Sequence, residues 1–174
     1  MIVVGVLAPD AGPAVAAVAR RAAGGGSRVE VVGVAPAGPD GDRRLMGLAA
    51  AGVGHATVTR SAASTIEAAD LELALRYLPD IRVIVLASPD ATLLRVAAEG
   101  SSWSAATLIA LGPLTPDASA IADAAAALVL EPPPTDPDEA FAGLVAAFAR
   151  RLDGGEAAAA AWRATLASLA VDPA

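Results

Sequence analysis

The chain has 174 residues, enough for one domain with a sizeable buried core and short for two. Apolar residues make up 55%, but 47 residues are alanine, so the bulky hydrophobes that drive collapse are nearer to a quarter of the chain. The formal charge is −7, from 19 acids against 12 cations that are all arginine, with one His and no Lys, Asn, Gln or Cys. This balance, with no basic run, removes the electrostatic basis for a nucleic-acid binder or an anionic-membrane patch. Disulfides, zinc fingers, Cys/His metal clusters and a Cys nucleophile are excluded, which leaves carboxylates as ligands for hard cations. The N-terminal apolar run has no basic segment before it, and the apolar stretch near the C-terminus carries Glu156 and Arg163. The chain therefore reads as soluble and cytoplasmic.

Short β-branched runs alternate with Ala/Leu/Arg segments of helical spacing, the pattern of βαβ units on a parallel sheet. In chain order, strands are predicted at Ile2 to Ala8, Val29 to Val34, His55 to Val58, Ile81 to Ala87, Thr107 to Leu111 and Ala127 to Leu130. Val83-Ile84-Val85-Leu86 lacks polar alternation and predicts a central strand buried on both faces. Helices are predicted at Ala14 to Ala23, Asp42 to Ala51, Thr65 to Tyr77, Asp90 to Glu99, Pro116 to Ala124, Pro137 to Leu152 and Gly154 to Leu169. The expected fold class is a three-layer, doubly wound α/β domain with about six mainly parallel strands. Helix starts are marked by a Ser64/Glu67 capping box, by Ser88-Pro89-Asp90 and Thr115-Pro116-Asp117, and by Asp136-Pro137-Asp138-Glu139 and Asp153-Gly154-Gly155-Glu156.

In such a sheet, ligands gather at the carboxyl ends of the strands, where helix N-termini present their amides. Asp10 follows the first strand, where it can hold a sugar hydroxyl or a cation; capping the first helix is the favoured role. Asp40 and Asp42 read as turn and cap residues ahead of Arg43 and Arg44, and the turn lacks both the dinucleotide fingerprint and the Walker pattern. Asp136, Asp138 and Glu139 form the densest acidic group and can supply a general base or a Mg²⁺ site, but their spacing is also a complete helix-start signature, which is favoured. Carboxylates at several helix starts compete with phosphate for the same amides, so a nucleotide site is disfavoured. His55 belongs on an edge strand or the surface. Phe141, Leu144, Val145, Phe148 and Leu152 form a core stripe. Trp103 and Trp162 read as packing anchors, and the last helix, apolar nearly all round, as buried in the monomer or in a subunit contact.

Taken in order, these pieces resemble the ribokinase-like PfkB sugar kinases. Gly5 through Asp10 has the spacing of that family's opening Gly-x-x-x-x-Asp strand, whose Asp binds the sugar. Ala11-Gly12-Pro13-Ala14 is similar to its Gly-Gly helix start, and Asp40-Gly41-Asp42-Arg43-Arg44-Leu45 with Leu48 to Val53 to its Asp-x-x-Gly helix ending in Ala-x-Gly-Val. Asp138 to Leu144 resembles the helix carrying Gly-Asp-Ala-Phe. The resemblance implies that the sugar lid and most of the nucleotide grip are missing. Where the family has Gly-Ala-Gly-Asp, with an amide anion hole and a catalytic Asp, this chain aligns Asp136-Pro137-Asp138-Glu139. Pro137 removes a donor, Asp138 adds a negative charge where phosphate would sit, and Glu139 takes the base position.

The resulting expectation is a minimal ribokinase-like domain without kinase activity or cofactor, acting by small-molecule binding or self-association as a homodimer, with Asp10, Gly12, Asp138 and Glu139 as candidate contacts to a small polar ligand. The alternatives are an independent receiver-like α/β regulatory domain, for which a 2-1-3-4-5 strand order is expected, and a minimal sugar or nucleoside kinase using Asp10 and Glu139.

Overall fold

The computed structural model describes residues 1–7, 15–63, 65–78, 80–87 and 89–170. Its elements run β1 (Ile2–Val6), α1 (Val15–Gly24), β2 (Glu30–Pro36), α2 (Pro39–Ala50), β3 (Gly54–Ser61), α3 (Ala68–Tyr77), β4 (Val83–Leu86), α4 (Ala91–Ser104), β5 (Thr107–Leu111), α5 (Pro116–Ala124), β6 (Leu128–Leu130), α6 (Ala140–Asp153) and α7 (Ala158–Ala170). The six strands form one sheet in the order β3-β2-β1-β4-β5-β6, with every pairing parallel. The chain starts in the middle, winds out to β3, returns to place β4 beside β1 and winds out again to β6. The topological switch point therefore lies between β1 and β4.

The strands explain their own position. β1 and β4 are apolar at nearly every residue and are covered on both faces. Val3, Val85 and Ile109 turn to the layer made by α1, α2, α6 and α7, while Ile2, Val4, Ile84 and Leu86 turn to α3, α4 and α5. On the first side the core is lined with alanine, with Ala17, Ala19 and Ala22 of α1 and Ala142, Ala146 and Ala149 of α6 all buried. Small side chains let these two helices approach closely, and α1 makes its largest helix contact with α6.

β3 is an outer strand, longer than the predicted span, and it holds His55, half-buried, with its Nδ1 3.1 Å from the Val53 carbonyl. Its register against β2 shifts between Glu30 and Val32, and the Glu30 carboxylate accepts from the Ala56 amide at 3.0 Å where the ladder is interrupted.

Several predicted details are corrected. α3 starts at Ala68 instead of Thr65, with Glu67 at its N-cap position and no side-chain cap bond, while Ser64 of the expected box lies outside the described residues. Asp90 caps α4, accepting from the Thr92 and Leu93 amides at 2.8 and 3.0 Å; the expected cap, Ser88, lies outside the described residues. Asp153 is the last residue of α6 and pairs with the N-terminal ammonium at 3.4 Å, while Glu156 pairs with Arg151, so neither starts α7. Trp103 is 57% exposed, so it is not a buried packing anchor. Among the residues of α7 whose burial is described, Ala161 and Thr165 are buried and Leu166 and Leu169 about half-exposed, so the helix is not buried within the monomer; most of its apolar character is alanine, which needs no burial. Thr115 caps α5 as expected, accepting from the Ala118 amide at 3.3 Å.

Candidate functional site at the carboxyl edge of the sheet

β1 leads at its carboxyl end into residues 8–14, so Asp10 and Gly12, including the expected capping role of Asp10, lie outside the described residues. The rest of that edge is built by the starts of α2, α4, α5 and α6.

α2 begins earlier than predicted, at Pro39, after Gly38 at φ 92°. Asp40 and Asp42 then fall in its first turn, where carboxylates complement the helix dipole. Asp40 pairs with Arg43, and Asp42 with Arg60 of β3 at 2.9 Å. Gly41 is required here, since a Cβ would stand 1.8 Å from the Pro36 carbonyl oxygen.

The start of α6 is the most organised part of the edge. The Asp136 carboxylate accepts from the Phe141 and Ala142 amides, one oxygen each, at 3.0 and 3.1 Å. It caps the helix from four residues upstream, and the helix starts at Ala140 instead of Pro137 because Glu139 takes a left-handed conformation, φ 52°. That conformation costs a non-glycine residue about 1 kcal/mol. It aims the Glu139 carboxylate at α1, where Arg20 and Arg21 donate to its two oxygens at 3.2 and 3.3 Å. Arg21 also donates to the Asp138 carbonyl at 3.2 Å. Asp138 itself is exposed. The pairs are about 40% exposed, so each contributes no more than ~1 kcal/mol, but together they fix the direction of both residues.

Chemically, this edge presents helix amides already bonded to protein oxygens: Asp90 on α4, Thr115 on α5 and Asp136 on α6. Among the described residues no three His, Cys, Asp or Glu side chains gather as a metal set. Replacing Asp136 with Ala is expected to lower stability by about 1–2 kcal/mol through loss of the α6 cap. A urea-unfolding midpoint unchanged from the parent would mean that water serves those amides equally well.

No family model matches the sequence, and no curated protein aligns with it significantly. The structure, in contrast, is similar to solved sugar kinases. The fructokinase with bound ATP from Xylella fastidiosa aligns over 99% of this chain and 87% of that one, with a TM-score of 0.59 and 15% identity. The tetrameric inhibited form of phosphofructokinase-2 from Escherichia coli aligns over 96% and 91%, with a TM-score of 0.63 and 12% identity. A protein described as a ribokinase II from E. coli, in its apo form, aligns over 94% and 89%, with a TM-score of 0.65 and 10% identity. This chain has the ribokinase-like fold. At such identities the likeness is one of architecture, and it agrees with the expected fold class. The observed strand order is not the 2-1-3-4-5 order on which the receiver-like alternative rests. Among the described residues no helix is long and apolar enough to cross a membrane.

Sequence reasoning missed the Arg20–Glu139–Arg21 bridge. Its members lie 118 and 119 positions apart, and only the packing of α1 on α6 brings them together. The adjacent Arg20-Arg21 pair facing an acidic loop was the one available signal.

Proposed function

We propose that the chain is a cytoplasmic ribokinase-like domain that works by binding and self-association, without phosphoryl transfer. The observation that carries this reading is the pair of hydrogen bonds that the Phe141 and Ala142 amides donate to the Asp136 carboxylate. The resemblance puts the phosphoryl anion hole at this helix start, and phosphoryl transfer depends on free donors there. A carboxylate in that place supplies the wrong charge and uses the donors. Glu139, aligned with the family's base, is directed to α1. Asp10, Gly12, Asp138 and Glu139 remain the proposed contacts of a small polar ligand at this edge.

A specific feature supports the homodimer. Among the described residues β3 has no partner on its outer edge, and beside it Leu73 and Tyr77 of α3 are 55% and 77% exposed, flanking a groove along residues 56–59. An open strand edge beside an apolar strip suits a two-fold partner.

Two measurements address the two parts. Release of ADP from ATP with Mg²⁺ across sugars and nucleosides is expected to stay at the rate of a protein-free control, and light scattering at micromolar concentration to give twice the chain mass, reverting to the monomer in Tyr77→Asp. Substrate-dependent release of ADP would overturn the non-catalytic reading. A strictly monomeric parent protein would overturn the dimer.

A further inference from the structure

We infer that the cleft between α1 and α2 is a binding site for a small molecule carrying a phosphate monoester or a comparable multiply charged oxyanion. The cleft is an open groove of about 400 Å³, lined by Ala16, Arg20, Asp40, Arg43, Arg44 and Gly47, with the paired Asp40 and Arg43 at its exposed rim. In a chain of net charge −7, three guanidinium groups on one small cleft are a concentration of the minority sign.

The usual structural role of such arginines does not explain them. Arg21, Arg76, Arg150 and Arg151 lie in the last turns of α1, α3 and α6, where a cation complements the helix dipole. Arg43 and Arg44 instead follow the first turn of α2, near its positive end, where the dipole gives a cation no advantage. Local acids neutralise only part of the charge. Asp40 pairs with Arg43, and Glu139 is shared between Arg20 and Arg21. Arg44 is half-buried and makes no hydrogen bond or ion pair among the described residues. A guanidinium withdrawn from water is best satisfied by a planar or tetrahedral oxyanion that accepts two parallel N–H bonds. The space for it exists because the facing positions are small. At Gly47 a Cβ would meet nothing within 4 Å, so the room there is not filled by a neighbouring side chain.

The site stands apart from the non-catalytic reading: an anion held by α1 and α2 neither needs nor excludes chemistry at α6. Inorganic phosphate and pyrophosphate serve as probes, in thermal melts and calorimetric titration at constant ionic strength. Saturable stabilisation is expected that sodium chloride does not reproduce. Arg44→Gln should weaken it about tenfold, the scale of one charge-assisted hydrogen bond. Gly47→Leu should fill the cleft and abolish binding while keeping or raising stability, since leucine is a better helix former than glycine. Arg95→Gln, which changes an arginine of α4 away from the cleft, should leave affinity at the parent value. Absence of saturable binding, parental affinity in both cleft variants, or equal weakening by Arg95→Gln would each overturn the assignment.

Discussion

Gly33→Ala is expected to be the most damaging single-methyl substitution in the sheet, lowering stability by roughly 3 kcal/mol or more. Gly33 lies in the middle of β2, in register with Gly5 of β1 and Val58 of β3. A Cβ there would stand 1.9 Å from the Gly5 carbonyl oxygen and 3.1 Å from its carbon. The obstacle is backbone, so no rotamer change relieves it. β2 is bonded on both sides, and moving it away from β1 drives it into β3. Overpacking of a close-packed interior typically costs 1–3 kcal/mol, and this case belongs at or beyond the upper end because the sheet ladder itself must part. With a total stability of about 5–15 kcal/mol, the variant keeps at best a narrow margin. Urea unfolding followed by far-UV circular dichroism reads the loss. Gly47→Ala is the matched control, because its Cβ meets open space, and it should be neutral or stabilising by up to about 1 kcal/mol. Equal midpoints for Gly33→Ala and the parent would mean that β1 and β2 adjust without strain.

The same glycines show what the sequence could and could not convey. Gly5 drew notice as the first residue of a Gly-x-x-x-x-Asp pattern, yet its visible reason is packing: a Cβ would come within 2.3 Å of Val15 Cγ2, so glycine lets α1 settle on β1. The central strands were legible because β-branched runs buried on both faces have no other reading, and β5 and α5 fall on the predicted spans. Local chemistry was also legible where it stayed local, as in Thr115-Pro116-Asp117. It failed at Asp136-Pro137-Asp138-Glu139. There the acids do serve the helix start, but the boundary is set by two arginines more than a hundred residues away that hold Glu139 in a left-handed turn. The burial of α7 within the monomer failed for a compositional reason. Alanine counts as apolar on any scale, but it contributes so little buried area that a helix rich in it can lie on the surface. The arginine cleft was not legible because Arg43 and Arg44 meet Arg20 and Ala16 of α1 across the cleft only in the folded chain.

Phe148→Ala is expected to cost about 3–5 kcal/mol and to detach the C-terminal helix first. Phe148 is 3% exposed on α6 and meets Trp162 of α7 edge to face, with ring centroids 5.1 Å apart at 75°. Such a pair contributes about 0.5–1.5 kcal/mol beyond the area it buries. α7 packs chiefly on α6 and otherwise buries little, with Ala161 and Thr165 as its fully covered residues and the Thr165 hydroxyl spent on the Ala161 carbonyl at 2.8 Å. Truncating the ring therefore removes the aromatic contact between α6 and α7, and leaves a cavity that the alanine-lined surface cannot refill. Two readouts separate this from general destabilisation. In a Trp103→Phe background, mild because Trp103 is exposed, emission comes from Trp162 alone and should shift to the red before the sheet unfolds. Amide exchange should accelerate over residues 158–170 by more than over 140–153. Phe148→Leu should retain most of both signals, since leucine keeps the buried volume and loses only the ring pair. A uniform rise in exchange across both helices would instead mean that α6 and α7 unfold as one unit, with the aromatic pair internal to it.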